Sequence, residues 1–295
     1  MPRHRCSTMM RNRSTYTIII LLLLLPMLLP SAAVAQHSTH DAINPYRVVQ
    51  RSTLHGISLL NTLDTYLSGY DHKGAGYHIQ HETLRRAHTG SYNWIFRTRT
   101  DATLGIATQH SNSQLLLMAS RRWSGYHPFT IGNNLKILAG AQIRAEGGAL
   151  YTPAYSNNPV SAKAGVTMDA SAMAVYTFLI GEKEYRARYT MDIPLIGAMF
   201  APEYGQSYYE IFGLGHTRGI IHISSPFNAP SMTHSFAIDI PTRKSTLRIA
   251  YIADIYQSDI NSLRTHIYTH SFLVGYSRTI YKVKRNDPIE AYSPL

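Results

Sequence analysis

From Leu263 to Lys282 the chain alternates almost without a break. His266, Tyr268, His270, Phe272, Val274, Tyr276 and Ile280 take one side; Thr265, Thr269, Ser271, Gly275, Ser277 and Thr279 take the other. Side chains of a strand point alternately to opposite faces, so this pattern predicts a long strand with one apolar and one polar wall. The same period recurs upstream. Leu247, Ile249, Tyr251, Ala253 and Ile255 oppose Arg248, Ala250 and Asp254. Tyr185, Ala187, Tyr189, Met191 and Ile193 oppose Arg186, Arg188, Thr190 and Asp192. Met232, Phe236, Ile238 and Ile240 stand against Thr233, Ser235 and Asp239. Leu135, Ile137, Ala139, Ala141, Ile143 and Ala145 stand against Lys136, Gln142, Arg144 and Glu146.

The pattern predicts twelve strands, near residues 52–60, 74–88, 92–109, 113–123, 133–147, 163–179, 184–194, 207–214, 219–225, 232–241, 245–257 and 264–282. Sandwich strands average about five or six residues, whereas a strand tilted across a bilayer needs about 9 to 11. Most of these segments are of the longer kind, and one wall of each carries charge. The expected fold is therefore all-β: an antiparallel transmembrane β-barrel of about twelve strands, with ten as the alternative. The segment from Val48 to Leu63 is the least regular, and a periplasmic extension or a partial plug is the other reading of it. Short connections at Gly181-Glu182-Lys183, Leu214 to Arg218 and Pro241 to Lys244 alternate with longer ones at Tyr151 to Ala162, Pro194 to Ser207 and Pro226 to Ser231. Such alternation suits a barrel with both termini in the periplasm.

The first residues have a different character. Arg3, Arg5, Arg11 and Arg13 precede an apolar run from Ile18 to Leu29, broken by Pro26, and Ala33-Val34-Ala35 follows. This reads as a secretory signal cleaved after Ala35, because the run is shorter than the roughly 20 apolar residues of a spanning helix. The expected organisation is a signal over 1–35, a periplasmic segment over 36–51, a barrel over 52–282 and a periplasmic tail over 283–295. The expected location is the cell outer membrane.

Composition agrees with export. The single cysteine, Cys6, falls in the signal, so no disulfide would hold the mature chain. The formal charge of +11 includes the four signal arginines, and the remaining basic residues form no block of the kind that binds nucleic acid. Tyrosine is abundant, with 21 against 8 Phe and 2 Trp. Its ring suits an apolar setting while its hydroxyl stays wet, as at a membrane interface.

With this strand parity, the longer loops gather at one rim and face outward from the cell. Asp64, Tyr66, Asn157, Asn158, Phe200, Glu203, Tyr204 and Glu210 are the candidate residues of an extracellular-rim site. Pro and Gly fix unusual backbone geometry, so the stretch Pro194 to Ser207 is expected to be ordered. It should bend into the barrel mouth, with Phe200 and Tyr204 packed inside near Asp64 and Asn157. Glu203, Asn158 and Asp64 would then line a pocket for a small polar ligand. The polar walls place Arg97, Arg99, Asp101, Arg144, Glu146, Arg186, Arg188, Asp192, Arg248 and Asp254 in the lumen, where both signs favour a mostly plugged interior over a narrow pore.

Three stretches carry a family resemblance: Asp64-Thr65-Tyr66-Leu67-Ser68, Asn157-Asn158-Pro159-Val160, and Pro194-Leu195-Ile196-Gly197 followed by Phe200 to Phe212. They resemble an uncharacterised Bacteroidetes family catalogued as domain of unknown function 3316. The resemblance covers most of the mature chain and implies a Gram-negative envelope protein; it supplies no activity.

Enzymatic readings are weaker. His110-Ser111-Asn112 evokes the His, Ser and Asn of outer-membrane phospholipases, and a lipid-modifying hydrolase is the alternative function. Adjacent strand residues point opposite ways, however, so His110 and Ser111 lack the geometry of a base and its nucleophile. His78 with His81, and His266 with His270, are the close histidine pairs; residues four apart in a strand lie about 13 Å from each other, too far for one ion. No metal and no cofactor are expected. The sequence thus predicts a non-enzymatic pore-like or surface-binding barrel whose partners are outer-membrane lipid and a small polar ligand or another envelope protein.

Overall fold

A computed structural model describes residues 47–89, 92–154, 158–243 and 245–282. Residues 1–46, on which the expected signal falls, the tail after 282 and Asn157 lie outside the described residues.

Period-two patterning gives strands wherever it is sustained. Eleven form: β1 Arg47–Asp64, β2 Ser68–Thr89, β3 Tyr92–Gln109, β4 Asn112–Ile131, β5 Leu135–Tyr151, β6 Val160–Ile180, β7 Lys183–Phe200, β8 Ile221–Ser224, β9 Met232–Pro241, β10 Thr246–Ile260 and β11 Leu263–Lys282. Strands β1 to β7 form an antiparallel meander, β9 to β11 continue it, and β11 pairs with β1 along its whole length to close the wall. The barrel has ten strands. The eleventh, β8, completes one side of β7: β9 pairs with Arg186–Asp192, and β8 with Gly197–Phe200 above it.

Three expectations are corrected here. The wall has ten strands, the alternative count, rather than twelve, because 207–214 is a π turn over Tyr209–Gly213 and 219–225 shrinks to the four residues of β8. Tyr208 and Tyr209, like Ile211 and Phe212, are adjacent and break the alternation, while Ser207 and Glu210 form a capping box. Next, β1 is a full wall strand from Arg47, neither extension nor plug, so the barrel starts before residue 52. Last, Pro194 to Phe200 continues β7 rather than opening a loop. The register shifts there, Asp169 facing Pro194 and Met168 facing Ile196, so Leu195 is the extra residue of a bulge. A bulge tolerates a proline that cannot donate to the ladder.

The burial pattern is that of a globular protein turned inside out. Ile57, Leu104, Leu117, Ile143, Val166, Ile249, Phe272 and Val274 are exposed on the outer wall, while Arg97, Arg99, Arg122, Arg188 and Arg248 are buried in the lumen. Close approach of β1 and β11 needs inward glycines at two diagonal positions, Gly56 opposite Leu273 and Gly275 opposite Leu54. A Cβ at Gly56 would strike the Phe272 carbonyl, and one at Gly275 would strike that of Thr53. The end that holds the first residues of β1 and the last of β11 has only short connections. The opposite end carries the two long ones, 152–159 and 201–231.

Candidate functional site

Inward-facing charges come from nearly every strand, and the ring is narrow enough for them to meet. Arg122 on β4 reaches Asp101 (3.3 Å) and, across the barrel, Asp254 on β10 (3.1 Å). Arg99 binds Asp101 through Nε at 2.8 Å, and His78 and Gln80 complete that carboxylate's shell at 3.2 and 3.0 Å. Glu82 on β2 accepts from Arg188 (3.0 Å) and Arg248 (2.9 Å), and Arg248 also holds Asp239. Arg97 pairs with Asp192 at 3.2 Å and lies over the Tyr126 ring. Arg144 stands between Glu146 and Asp169.

Apolar layers bound this lattice. Leu84, Ile95, Tyr126, Leu138, Met173 and Val175 cluster toward the terminal end; Leu60, Leu67, Leu116, Leu150 and Ile267 cluster toward the loop end. Among the described residues, the lumen holds a cavity of about 50 Å³ lined by His78, Asp101, Glu146, Asp254 and Tyr256. Others have about 20 and 10 Å³. A water molecule occupies about 30 Å³ in the liquid. Among the described residues, these spaces offer room for isolated waters rather than a path through the lumen.

Of the sequence-predicted lumen charges, Arg97, Arg99, Arg144, Arg188, Asp192 and Arg248 are fully buried, and Glu146 nearly so. Asp254 is partly open at its carboxylate, and Arg186 sits near the terminal rim against Glu184. Glu82, Arg122, Lys163, Asp169 and Asp239 are equal members that the sequence reading did not single out. Their signal was present: Glu82 continues the alternate positions His78 and Gln80, and Arg122 lies midway between Ser120 and Ser124.

At the loop end the chain builds a lid. Asp64 is buried and paired with Lys163 on β6 (2.8 Å), and its Oδ1 accepts from the Tyr66 amide. Tyr66 donates its hydroxyl to the Gln206 carbonyl at 2.7 Å and meets the Tyr208 ring edge-on. Tyr208 stacks between Phe200 and Phe212, and its hydroxyl accepts from the Ala162 amide. Burial pushes the Tyr66 phenol up to about 12, helped by neighbouring Tyr208, Asp64 and Glu210; burial raises Tyr208 as well. Glu210 caps the π turn, and hydrogen bonds from the Ser207 amide and hydroxyl hold its carboxyl below the usual range. Asn261 in the β10–β11 turn ties down the Ala201 carbonyl.

Above this lid is an open hollow of about 590 Å³, lined by Glu203, Tyr204, Gln206, Glu210, His216 and Arg218 among others. Three of the predicted rim residues, Glu203, Tyr204 and Glu210, thus come together. The others do not join them. Asp64 lies beneath, engaged by Lys163, and Asn158 is half-buried at the approach to β6, so no pocket unites them with Glu203. Phe200 packs on Tyr208, whereas Tyr204 is 75% exposed, beside Gly205 at φ +81°. Tyr208 and Ile211 supply the apolar cover that Tyr204 was expected to give. His110 and Ser111 form the exposed β3–β4 turn, with no hydrogen bond between them among the described residues. Among the described residues, no three His, Cys, Asp or Glu side chains group as a metal site.

The family model described as a protein of unknown function (DUF3316) matches residues 17–287. No curated protein matches the chain. Among solved structures, the outer membrane protease OmpT from Escherichia coli is similar at 8% identity and a TM-score of 0.40, over 80% of this chain and 97% of that one. The translocator domain of the autotransporter NalP from Neisseria meningitidis gives 10% and 0.36, over 90% and 97%. An outer membrane channel from Pseudomonas putida gives 9% and 0.36, over 80% and 95%.

Proposed function

The chain belongs to the DUF3316 family, and from that premise, which brings no activity with it, we propose a sealed outer-membrane barrel that binds at its loop end and conducts nothing. The outward apolar wall meets lipid, the signal directs export with cleavage after Ala35, and both termini face the periplasm. The loop end then faces outward, and the hollow over Glu203, Gln206, Glu210 and Arg218 takes a polar molecule or the surface of another envelope protein. Both signs of charge line it, which suits a zwitterionic or mixed polar partner better than a simple ion.

One observation carries this reading: cross-barrel ion pairs fill the lumen among the described residues, beside a cavity of only about 50 Å³. Barrels of about eight strands are filled by side chains, whereas 16 to 18 strands leave a channel. Ten strands with this many inward arginines fall with the filled class. Conductance in a planar bilayer is the test. The purified protein should give no steady current steps, and reproducible single-channel steps would overturn the sealed reading.

A further inference from the structure

The ladder between β1 and β11 places Arg51 directly opposite Arg278, and β2 sets Arg85 opposite Val49, one pair further along the same outer face. Directly opposite residues in an antiparallel pair have Cβ atoms about 4.5–5.5 Å apart, and like charges there repel. All three arginines are exposed. Among the described residues, none of the three has a carboxylate within ion-pair distance or a hydrogen-bond partner. The cations of the lumen are lodged among acids; these three are not. The same ladder continues to Arg47 opposite Lys282.

The surroundings are those of a lipid wall. Tyr276 (60% exposed) and Ile280 (39%) flank Arg278 along β11, and Phe96 (46%) faces Arg85 from β3. An uncompensated arginine on such a wall is tolerated near the interface and costly toward the midplane. Three together need an anion. The guanidinium fork matches a phosphate bidentately, and an apolar rim beside it suits acyl chains.

We propose that Arg51, Arg85 and Arg278 hold the headgroup of an anionic phospholipid in the leaflet at the terminal end of the barrel. This rests on the outer-membrane reading above. The phosphodiester would lie over the Arg51–Arg278 pair, where it converts a repulsive contact into a bridged one. Arg85 would close the third side.

The test is lipid retention by purified full-length protein in neutral detergent, read by native mass spectrometry. Phosphatidylglycerol, phosphatidylcholine and inorganic phosphate are the probes. Phosphatidylglycerol should be retained over phosphatidylcholine, and the triple variant R51Q/R85Q/R278Q should lose about a hundredfold in retention, since each basic residue near an anionic surface is worth roughly fivefold. R121Q, on the same outer wall but hydrogen-bonded to Thr100, should retain as the parent does. Should the triple variant fail to fold, R278Q alone should show about a fivefold loss. Equal retention of both lipids, an unaffected variant, or displacement of lipid by inorganic phosphate would each overturn the assignment. Outer-membrane fractionation separates the two readings: a barrel found there without phosphatidylglycerol preference defeats the site alone, whereas absence from membranes defeats the reading beneath it.

Discussion

Arg188 and Glu82 meet at 3.0 Å from strands that lie five places apart in a ring of ten, so their ion pair spans the lumen. Arg122 with Asp254 and Lys163 with Asp64 join strands separated in the same way. These pairs act as struts between opposite walls, at three heights in the barrel. Such pairs lie beyond the reach of neighbouring strands, so they tie the wall into one cooperative unit.

Removing one partner of a strut should be costly. In Glu82→Gln, Arg188 and Arg248 lose their shared carboxylate while remaining buried. Breaking a buried pair in this way costs about 3–5 kcal/mol. Urea unfolding in micelles, followed by tryptophan fluorescence, should show the midpoint falling accordingly. A change below about 1 kcal/mol would mean that water reaches these arginines.

Removing both partners should cost less than removing one. Lys163→Met leaves Asp64 buried without its cation, whereas Lys163→Met with Asp64→Leu leaves no charge behind. Replacing a buried pair by apolar side chains is often neutral or stabilising. The double variant should therefore unfold at higher urea than the Lys163→Met single variant, and the non-additivity measures the strut. In the double variant Tyr66 would also lose its amide acceptor at Asp64, so the lid should loosen there and hold in the single variant.

How much of this was readable beforehand depends on the range of the interaction. The strands were legible because alternation is local: His266 to Ile280 shows its apolar outer wall in sequence alone. The inward charges of β3, β5, β7 and β10 followed from the same parity. Ring size was less legible, since 207–214 has strand-like composition and its capping box from Ser207 to Glu210 competes with alternation. β8 could not be placed because its wall position depends on β9 being shorter than β7. The rim site was half legible. Loop composition pointed to Glu203 and Glu210, but the engagement of Asp64 by Lys163 is a contact across the ring and has no local signature.

The lid should depend on Tyr208. Its ring links Tyr66, Phe200 and Phe212, and its hydroxyl holds the Ala162 amide. Tyr208→Ala removes every one of these contacts at once, and aromatic pairs are worth about 0.5–1.5 kcal/mol each beyond burial. Protease cleavage within 201–220 should accelerate on the order of tenfold, the result of about 1.4 kcal/mol in local opening. The barrel itself should keep its heat-modifiable migration on gels. Cleavage at the parental rate would show that the Asn261–Ala201 tie alone holds the loop.

The lid should also respond to acid through Glu210. Its carboxyl is held below the ordinary value because the Ser207 amide (2.7 Å) and hydroxyl (3.0 Å) donate to the charged form. A depressed folded-state pKa means that the contribution is complete above the ordinary value, about 4.3 for a glutamate. It is lost as the pH falls through the depressed one. Loop protection should therefore stay level from neutral pH to about 5 and decline only in stronger acid. Hydrogen exchange at the amides of 207–212, after correction for intrinsic rates, reads this directly. In Glu210→Gln the side chain still accepts from Ser207 but no longer titrates there, so protection should begin lower and lose its acid step. A parental step that survives in Glu210→Gln would assign the acid response to another group and leave the capping box a purely neutral contact.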